Sequence, residues 1–260
     1  MSFLIFTNCN SKMYLKLKHK SLLSIFIFFS ILAIVKPQNS KEKEFINRNF
    51  ENGFQGIQNT VFKNPGRRIL IIGGIGSAIA YQMDDSVQDW FLNNQPLPES
   101  INRFGDRYGN FYSGIFVLTA SGILSYQSNS LQKFEYAFAT LGTNGLVTVI
   151  LKDIIGRERP NGSSHRSFPS GHTSHSFATA TIFKELFGWK WGVPTYSLAI
   201  ITAVNRLQDN KHYLSDVVFA AGLGTAFGLG FSKSHLGDMK KVVYEFNPVK
   251  SELRFSVYFY

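Results

Sequence analysis

Apolar residues recur at three- and four-residue steps from Phe45 and Ile46 through Phe50, Phe54, Ile57 and Val61. That period predicts an amphipathic helix, which Asn64-Pro65-Gly66 stops. Its apolar stripe suits packing or lying on a surface. Ile69 to Tyr81 is an apolar segment punctuated by Gly and Ala, Asp84 to Trp90 turns polar, and Pro96 and Pro98 break the pattern before Ile101 to Tyr108. Further apolar helices are predicted at about 109–126, 131–154, 172–188, 193–207 and 213–231, with Gly and Ala where helices can approach closely. None of them offers eighteen clean apolar residues, so a compact envelope-facing bundle, free or membrane-attached, is favoured over a polytopic protein. Short helices still fit a bilayer when tilted or flanked by snorkelling residues.

The last twenty residues change period. Leu253, Phe255, Val257 and Phe259 alternate with Glu252, Arg254, Ser256 and Tyr258, and Val242 to Phe246 can pair with them across Asn247-Pro248. Two strands are too few for an outer-membrane barrel, which needs at least about eight. The expected fold is therefore an all-α helical bundle with a small C-terminal β-hairpin over 240–260.

The first 37 residues read as an export signal or N-terminal anchor. A lysine-rich stretch leads into Leu22 to Val35, fourteen residues without a charge, and then into polar Lys36-Pro37-Gln38-Asn39-Ser40. The run is short for a membrane span, and no clean small-x-small cleavage site follows it. Met13 would make a more ordinary start, in which case Cys9, the single cysteine, is never made. The mature chain is thus expected to lack cysteine, which removes disulfides, thiol chemistry and cysteine metal sites.

Charge alters this picture little. Of the net +10, five positives fall in the first 37 residues, which hold no acid, so the remainder carries only +5. No basic stripe with interleaved aromatics follows, and nucleic-acid binding is not expected. At 260 residues and 44% apolar, the chain can bury one substantial core.

The chemistry gathers in three polar clusters between Lys152 and Asp216. Lys152 ends an apolar helix that Gly156 and Arg159-Pro160 stop, and seven residues of spacing lets Lys152 and Arg159 face one side over two turns. Pro169-Ser170-Gly171-His172 opens the next helix, where Gly171 admits close backbone approach and free N–H groups point at a ligand. Arg206 precedes His212 and Asp216, and the last two, four residues apart, are placed on one helical face. The carboxylate then holds one ring nitrogen and leaves the other free to attack. Taken singly, each cluster has a plainer explanation: cations answering a helix dipole, a helix start capped by Ser170, a surface ion pair. Together, such charges in an Ala-, Phe- and Leu-rich stretch are costly to bury without an anionic ligand such as phosphate.

The ordered set Lys152-x6-Arg159-Pro160, Pro169-Ser170-Gly171-His172 and Arg206-x5-His212-x3-Asp216 resembles the type 2 phosphatidic acid phosphatase (PAP2) superfamily, which includes bacterial acid phosphatases and vanadium haloperoxidases. The resemblance covers these 65 residues closely and the flanking helices loosely. It implies a phosphatase domain over 67–235, preceded by the amphipathic helix of 38–66. It also implies that His212 is the nucleophile of a phosphohistidine mechanism, oriented by Asp216, with His172 handling the proton of the leaving oxygen and of water. Lys152, Arg159 and Arg206, with Ser170 and the Gly171 amide, match the groups that hold phosphate oxygens. No metal or cofactor is implied, because fixed cations take that place. Preorganised donors where charge develops are worth on the order of 3 kcal/mol each.

Two departures limit the match. Asn205 stands before Arg206 where Ser or Gly is common, and only Asn161 to Phe168 joins the first two clusters, too short for a large specificity lid. His165 reads as a solvent-facing bystander and His175 as packing or surface. The expected protein is an exported phosphatase on the periplasmic side of the envelope, acting on phosphomonoesters, lipid phosphates or pyrophosphates. The rivals are a vanadate-dependent haloperoxidase and a non-catalytic phosphate-binding envelope protein. Oligomeric state is left open.

Overall fold

Gly and Pro punctuate the chain into helices that the computed structural model describes over residues 40–237, with strand backbone at 240–247 and 252–259. The expected signal or anchor of 1–37, Cys9 and the Met13 start lie outside the described residues. By internal contacts the chain divides into Met1–Asn49 and Phe50–Tyr260. In order, the helices are α1 (Ser40–Val61), α2 (Gly66–Tyr81), α3 (Asp84–Asn94), α4 (Glu99–Arg107), a π-helical stretch Tyr108–Tyr112, α5 (Ser113–Gln127), α6 (Gln132–Ile155), α7 (Gly171–Phe187), α8 (Trp189–Gln208) and α9 (Leu214–His235). Strands β1 (Lys240–Asn247) and β2 (Glu252–Phe259) pair antiparallel, with Tyr244 opposite Phe255.

Helix α7 is the centre of the bundle and touches α5, α6, α8 and α9. Its Ala178, Ile182 and Phe183 meet Val117 of α5, Tyr136, Ala137 and Leu141 of α6, and Leu223, Phe227 and Phe231 of α9. Each large apolar side chain buried there contributes roughly 1.5–3 kcal/mol. The buried Tyr136 hydroxyl donates to the Gly228 carbonyl at 2.9 Å, so this polar atom is satisfied inside the core. Much of the remaining interior is small or hydroxylated, including Ser121, Thr140, Ser176 and Thr179, all fully buried. Helices with such faces approach closely. At Gly224 of α9, a side-chain carbon would fall 2.1 Å from the Ser174 carbonyl of α7, so only glycine allows this crossing.

Two local outcomes differ from the sequence reading, and a third selects between its alternatives. The segments expected at 101–108 and 109–126 form one continuous helical rod, with the π stretch at the junction where a break was placed. Helix α8 begins at Trp189 and not near 193, with Pro194 inside it. The apolar stripe of α1 is not its packing face, since Phe50 is 74% and Phe54 57% exposed. The contact with α9 runs instead through Gly56, beneath the Phe231 ring, and through Asn59 and Thr60 beside Gly230.

Exposed apolar side chains also line other helices. Ile72 and Ile79 of α2 are each 63% exposed, and Ile123 of α5, Phe138 of α6 and Ile200 of α8 are exposed too. Helices α6, of 24 residues, and α9, of 22, are long and apolar enough to cross a membrane by length and composition. Neither holds eighteen uninterrupted apolar residues, which is why the sequence favours a compact bundle while leaving a spanning one open.

Candidate active site

One end of the bundle collects the C-terminal ends of α6 and α8 and the N-terminal ends of α7 and α9. Gly156 ends α6 in the left-handed conformation, φ 60°, its N–H capping the Lys152 carbonyl. The chain then loops through 157–169 before α7. Ser170, at the N-cap of α7, donates its N–H to the Asp216 carbonyl at 3.2 Å, which joins the second cluster to the third. A side-chain carbon at Gly171 would lie 3.8 Å from Lys152 Cε, which joins the first to the second. The Lys211 and His212 amides both donate to the Arg206 carbonyl, so the turn after α8 delivers His212 to the same end.

His212 and Asp216 do not share a helical face. Helix α9 starts at Leu214, leaving His212 in the preceding turn, while Asp216 sits at the third helical position and reaches back. Its Oδ2 accepts the Tyr213 N–H at 3.0 Å, the carboxylate half of a capping box, stabilised also by the positive end of the helix dipole. His212 Nδ1 lies 3.7 Å from Asp216 Oδ2, an electrostatic contact longer than a hydrogen bond. Ser167 Oγ bridges the gap, donating to Asp216 Oδ2 at 2.5 Å and lying 3.5 Å from Nδ1. Arg159 likewise lies beyond the end of α6, in the loop, and not on a shared helical face with Lys152.

Burial governs the electrostatics. It pushes His212 down to about 4, with Lys152 and Arg159 acting the same way against the pull of Asp216. Burial also lowers Arg159, helped by the neighbouring charges of Arg206 and Arg166. The Arg159 Nε is a buried donor without a protein partner, as a group awaiting an anion would be. Lys152 directs its ammonium to the Arg166 carbonyl at 2.7 Å and the Ser167 carbonyl at 3.3 Å, so it braces the loop as well as facing the site. Ser170 is fully buried, and its hydroxyl accepts from Thr173 at 2.9 Å in place of capping α7.

Arg206, only 2% exposed, is held from the side of α4. Its Nε donates to Asn205 Oδ1 at 2.7 Å, and Asn205 Nδ2 donates to the Asn102 carbonyl at 2.9 Å. The residue that departed from the family pattern is thus a strut between Arg206 and α4. Asp106, in the last turn of α4, pairs with Arg206 and approaches His172 Nε2 at 3.7 Å and Lys211 Nζ at 3.8 Å. The sequence reading missed Asp106, Asp84, Arg157 and Ser167. Asp84 and Asp106 lie far from the clusters along the chain and carry no local signal, whereas Arg157 and Ser167 lie inside the loop and passed as filler. His165 is exposed, and His175 packs its ring against Gly114 of α5. Among the described residues, no three His, Cys, Asp or Glu side chains converge as metal ligands.

Residues 133–239, which contain every one of these clusters, match the sequence profile of the PAP2 superfamily. Through this segment the chain is similar to the PAP2 superfamily. The PAP2 segment has curated relatives: a lipid A 1-phosphatase of Porphyromonas gingivalis is 40% identical over 85 residues, 31% of this chain and 19% of that protein. A lipid A 1-phosphatase of Rhizobium johnstonii is 34% identical over 112 residues, 37% of this chain and 44% of that protein. The chain therefore spans less than half the length of either relative. Among solved structures, Aquifex aeolicus LpxE superposes with a TM-score of 0.49 at 18% identity, covering 58% of this chain and 95% of that one.

Proposed function

We propose that this protein is a metal-independent phosphatase of lipid phosphates, working through a phosphohistidine intermediate at His212. The observation that carries the reading is the convergence of a buried, neutral His212 with a carboxylate on one side and an Arg159 Nε lacking a partner on the other. In the first step His212 Nε2 attacks phosphorus, the P–O bond to the leaving group breaks, and His172, which burial holds at about 3 and which takes up a proton as the anionic substrate enters beside it, passes that proton to the leaving oxygen. In the second, His172 takes a proton from water, the hydroxide attacks phosphorus, and the P–N bond breaks to release phosphate and the His212 ring. Asp216 stabilises the positive charge that His212 acquires on attack. Lys152, Arg159 and Arg206, with the Ser170 hydroxyl and the Gly171 amide, hold the equatorial oxygens as charge builds on them.

The lipid substrate is supported by the exposed apolar side chains of α1, α2, α5 and α8 and by the names of the relatives. Water is a poor solvent for so large an apolar surface, and a bilayer is a good one. A membrane also brings phosphorylated lipid head groups to the end of the bundle where the site lies. We place the site on the periplasmic side, following the export signal read in the first 37 residues.

The test is phosphate release from detergent-solubilised protein offered phosphorylated lipid and a chromogenic phosphate ester. His212→Ala is expected to lose at least about a thousandfold of activity with its thermal unfolding unchanged, because the nucleophile is removed and nothing replaces it. Vanadate is expected to inhibit and a chelator to have no effect. Full turnover by the His212→Ala variant, or loss of turnover on chelation, overturns the assignment.

A further inference from the structure

The loop after α6 carries an arginine that the phosphatase chemistry does not use. Arg157 NH1 donates to Asp216 Oδ1 and to Ser215 Oγ, both at 2.7 Å, and its NH2 donates to Asp84 Oδ2 at 2.7 Å. Asp84, buried at the start of α3, also accepts the Ser215 N–H at 2.8 Å and the Ser215 hydroxyl at 2.6 Å. The guanidinium lies 4.0 Å over the Tyr213 ring and 5.2 Å from that of Tyr81. Both terminal nitrogens are thus taken up by protein acceptors, and the plane is held by aromatic contacts. Arg157 is therefore built into the scaffold, in contrast to Arg159 with its unpartnered Nε.

We infer that Arg157, anchored by Asp84, is a positioning residue that fixes the Asp216 carboxylate so that one oxygen faces His212. The division of the two oxygens carries this. Oδ1 is committed to Arg157, while Oδ2 is left for Ser167, the Tyr213 amide and His212. A carboxylate free to rotate could present either oxygen, or pair with Lys152 or Arg159 across the site. A planar, two-pronged donor sets its plane in a way a point charge does not. Arg157 has a second effect through its charge. Asp84 and Asp216 both lie against it, so it neutralises two neighbouring buried carboxylates and limits how strongly Asp216 raises the proton affinity of His212. The charged groups facing His212 are Asp216 from α9, Lys152 from α6, Arg159 from the loop and, when protonated, His172 from α7. Arg157 acts on His212 only through the first of these.

This inference rests on the proposed role of Asp216, and the test separates the two. Full-length protein in detergent is assayed on a chromogenic phosphate ester as wild type, Arg157→Lys, Arg157→Met and Asp84→Asn. Arg157→Met is also made in an Asp216→Asn background. Arg157→Met is expected to lower kcat about a hundredfold while KM changes less than about threefold, because the arginine touches Asp216 and not the phosphate. In the Asp216→Asn background the same change is expected to cost less than about threefold, the partner being already gone. Without the guanidinium, either His212 gains proton affinity or the paired carboxylates take up a proton, and by both routes the acid limb of kcat/KM moves up by about one pH unit. Arg157→Lys keeps the charge and is expected to leave the limb in place with kcat only partly restored. Asp84→Asn, which spares the contact with Asp216, is expected to lower kcat by less than about tenfold, and it serves as the reading if Arg157→Met does not fold. A rise in KM, full multiplicative losses in the double variant, or an unmoved acid limb in folded Arg157→Met overturns the inference. If His212→Ala and Asp216→Asn are themselves fully active, it is the phosphatase reading that has failed.

Discussion

His212 is surrounded by groups that disfavour its protonation, and burial is the largest of them, bringing it from an ordinary 6.5 to about 4. In the proposed mechanism, attack on phosphorus needs the neutral ring, so the sign is direct: His212 is neutral at pH 7, stays so at pH 5, and is lost as a nucleophile as pH falls through about 4. In a pH profile of kcat/KM, corrected for the substrate's own ionisation at about 6, the acid limb that reports His212 is expected at about 4. A limb at the ordinary histidine value would count against the buried geometry. The same shift bears on stability, because between the unfolded and folded values the unfolded chain binds a proton that the folded chain does not. Stability contributed by His212 is therefore present above about 6.5 and lost as pH falls toward about 4. At this scale the three clusters were legible in the sequence, since their residue types and spacing are local. Asp106, Asp84 and Ser167 were not, because what makes them part of the site is proximity across the fold.

At the scale of elements, helix-length spacing fixed where α6, α7 and α9 lie, and small residues fixed how closely they pack. Gly224 sits where α9 crosses α7 at backbone contact, whereas at Gly142 on α6 a side-chain carbon would meet no atom within 4 Å beyond its own stretch of helix. The two glycines are expected to respond to alanine with opposite signs. Gly224→Ala forces α7 and α9 apart and is expected to cost about 1–3 kcal/mol or more. Gly142→Ala relieves a helix-interior glycine and is expected to gain up to about 1 kcal/mol. Thermal unfolding of the two variants in detergent checks this, and equal shifts would refute the close crossing. Periodicity alone cannot separate these two positions. Nor can it choose between packing and lying on a surface for α1, where the apolar stripe is turned outward and the small polar face makes the contact.

For the whole molecule, the outward apolar side chains decide the medium. A protein with Phe50, Ile72, Ile79 and Ile200 open to its surroundings is expected to pellet with membranes, resist alkaline carbonate and be released by detergent. Recovery of active protein from the soluble fraction of broken cells would contradict the membrane-bound reading. Amino-acid order by itself determined the helical class, the three clusters and the anion chemistry they imply, because periodicity and motif spacing act within a turn or two of chain. Only the tertiary structure decided which faces are buried, that His212 lies ahead of its helix, and that carboxylates from α3 and α4 enter the site. Those outcomes depend on contacts between residues 73 and 100 positions apart, which helix packing sets and no local pattern records.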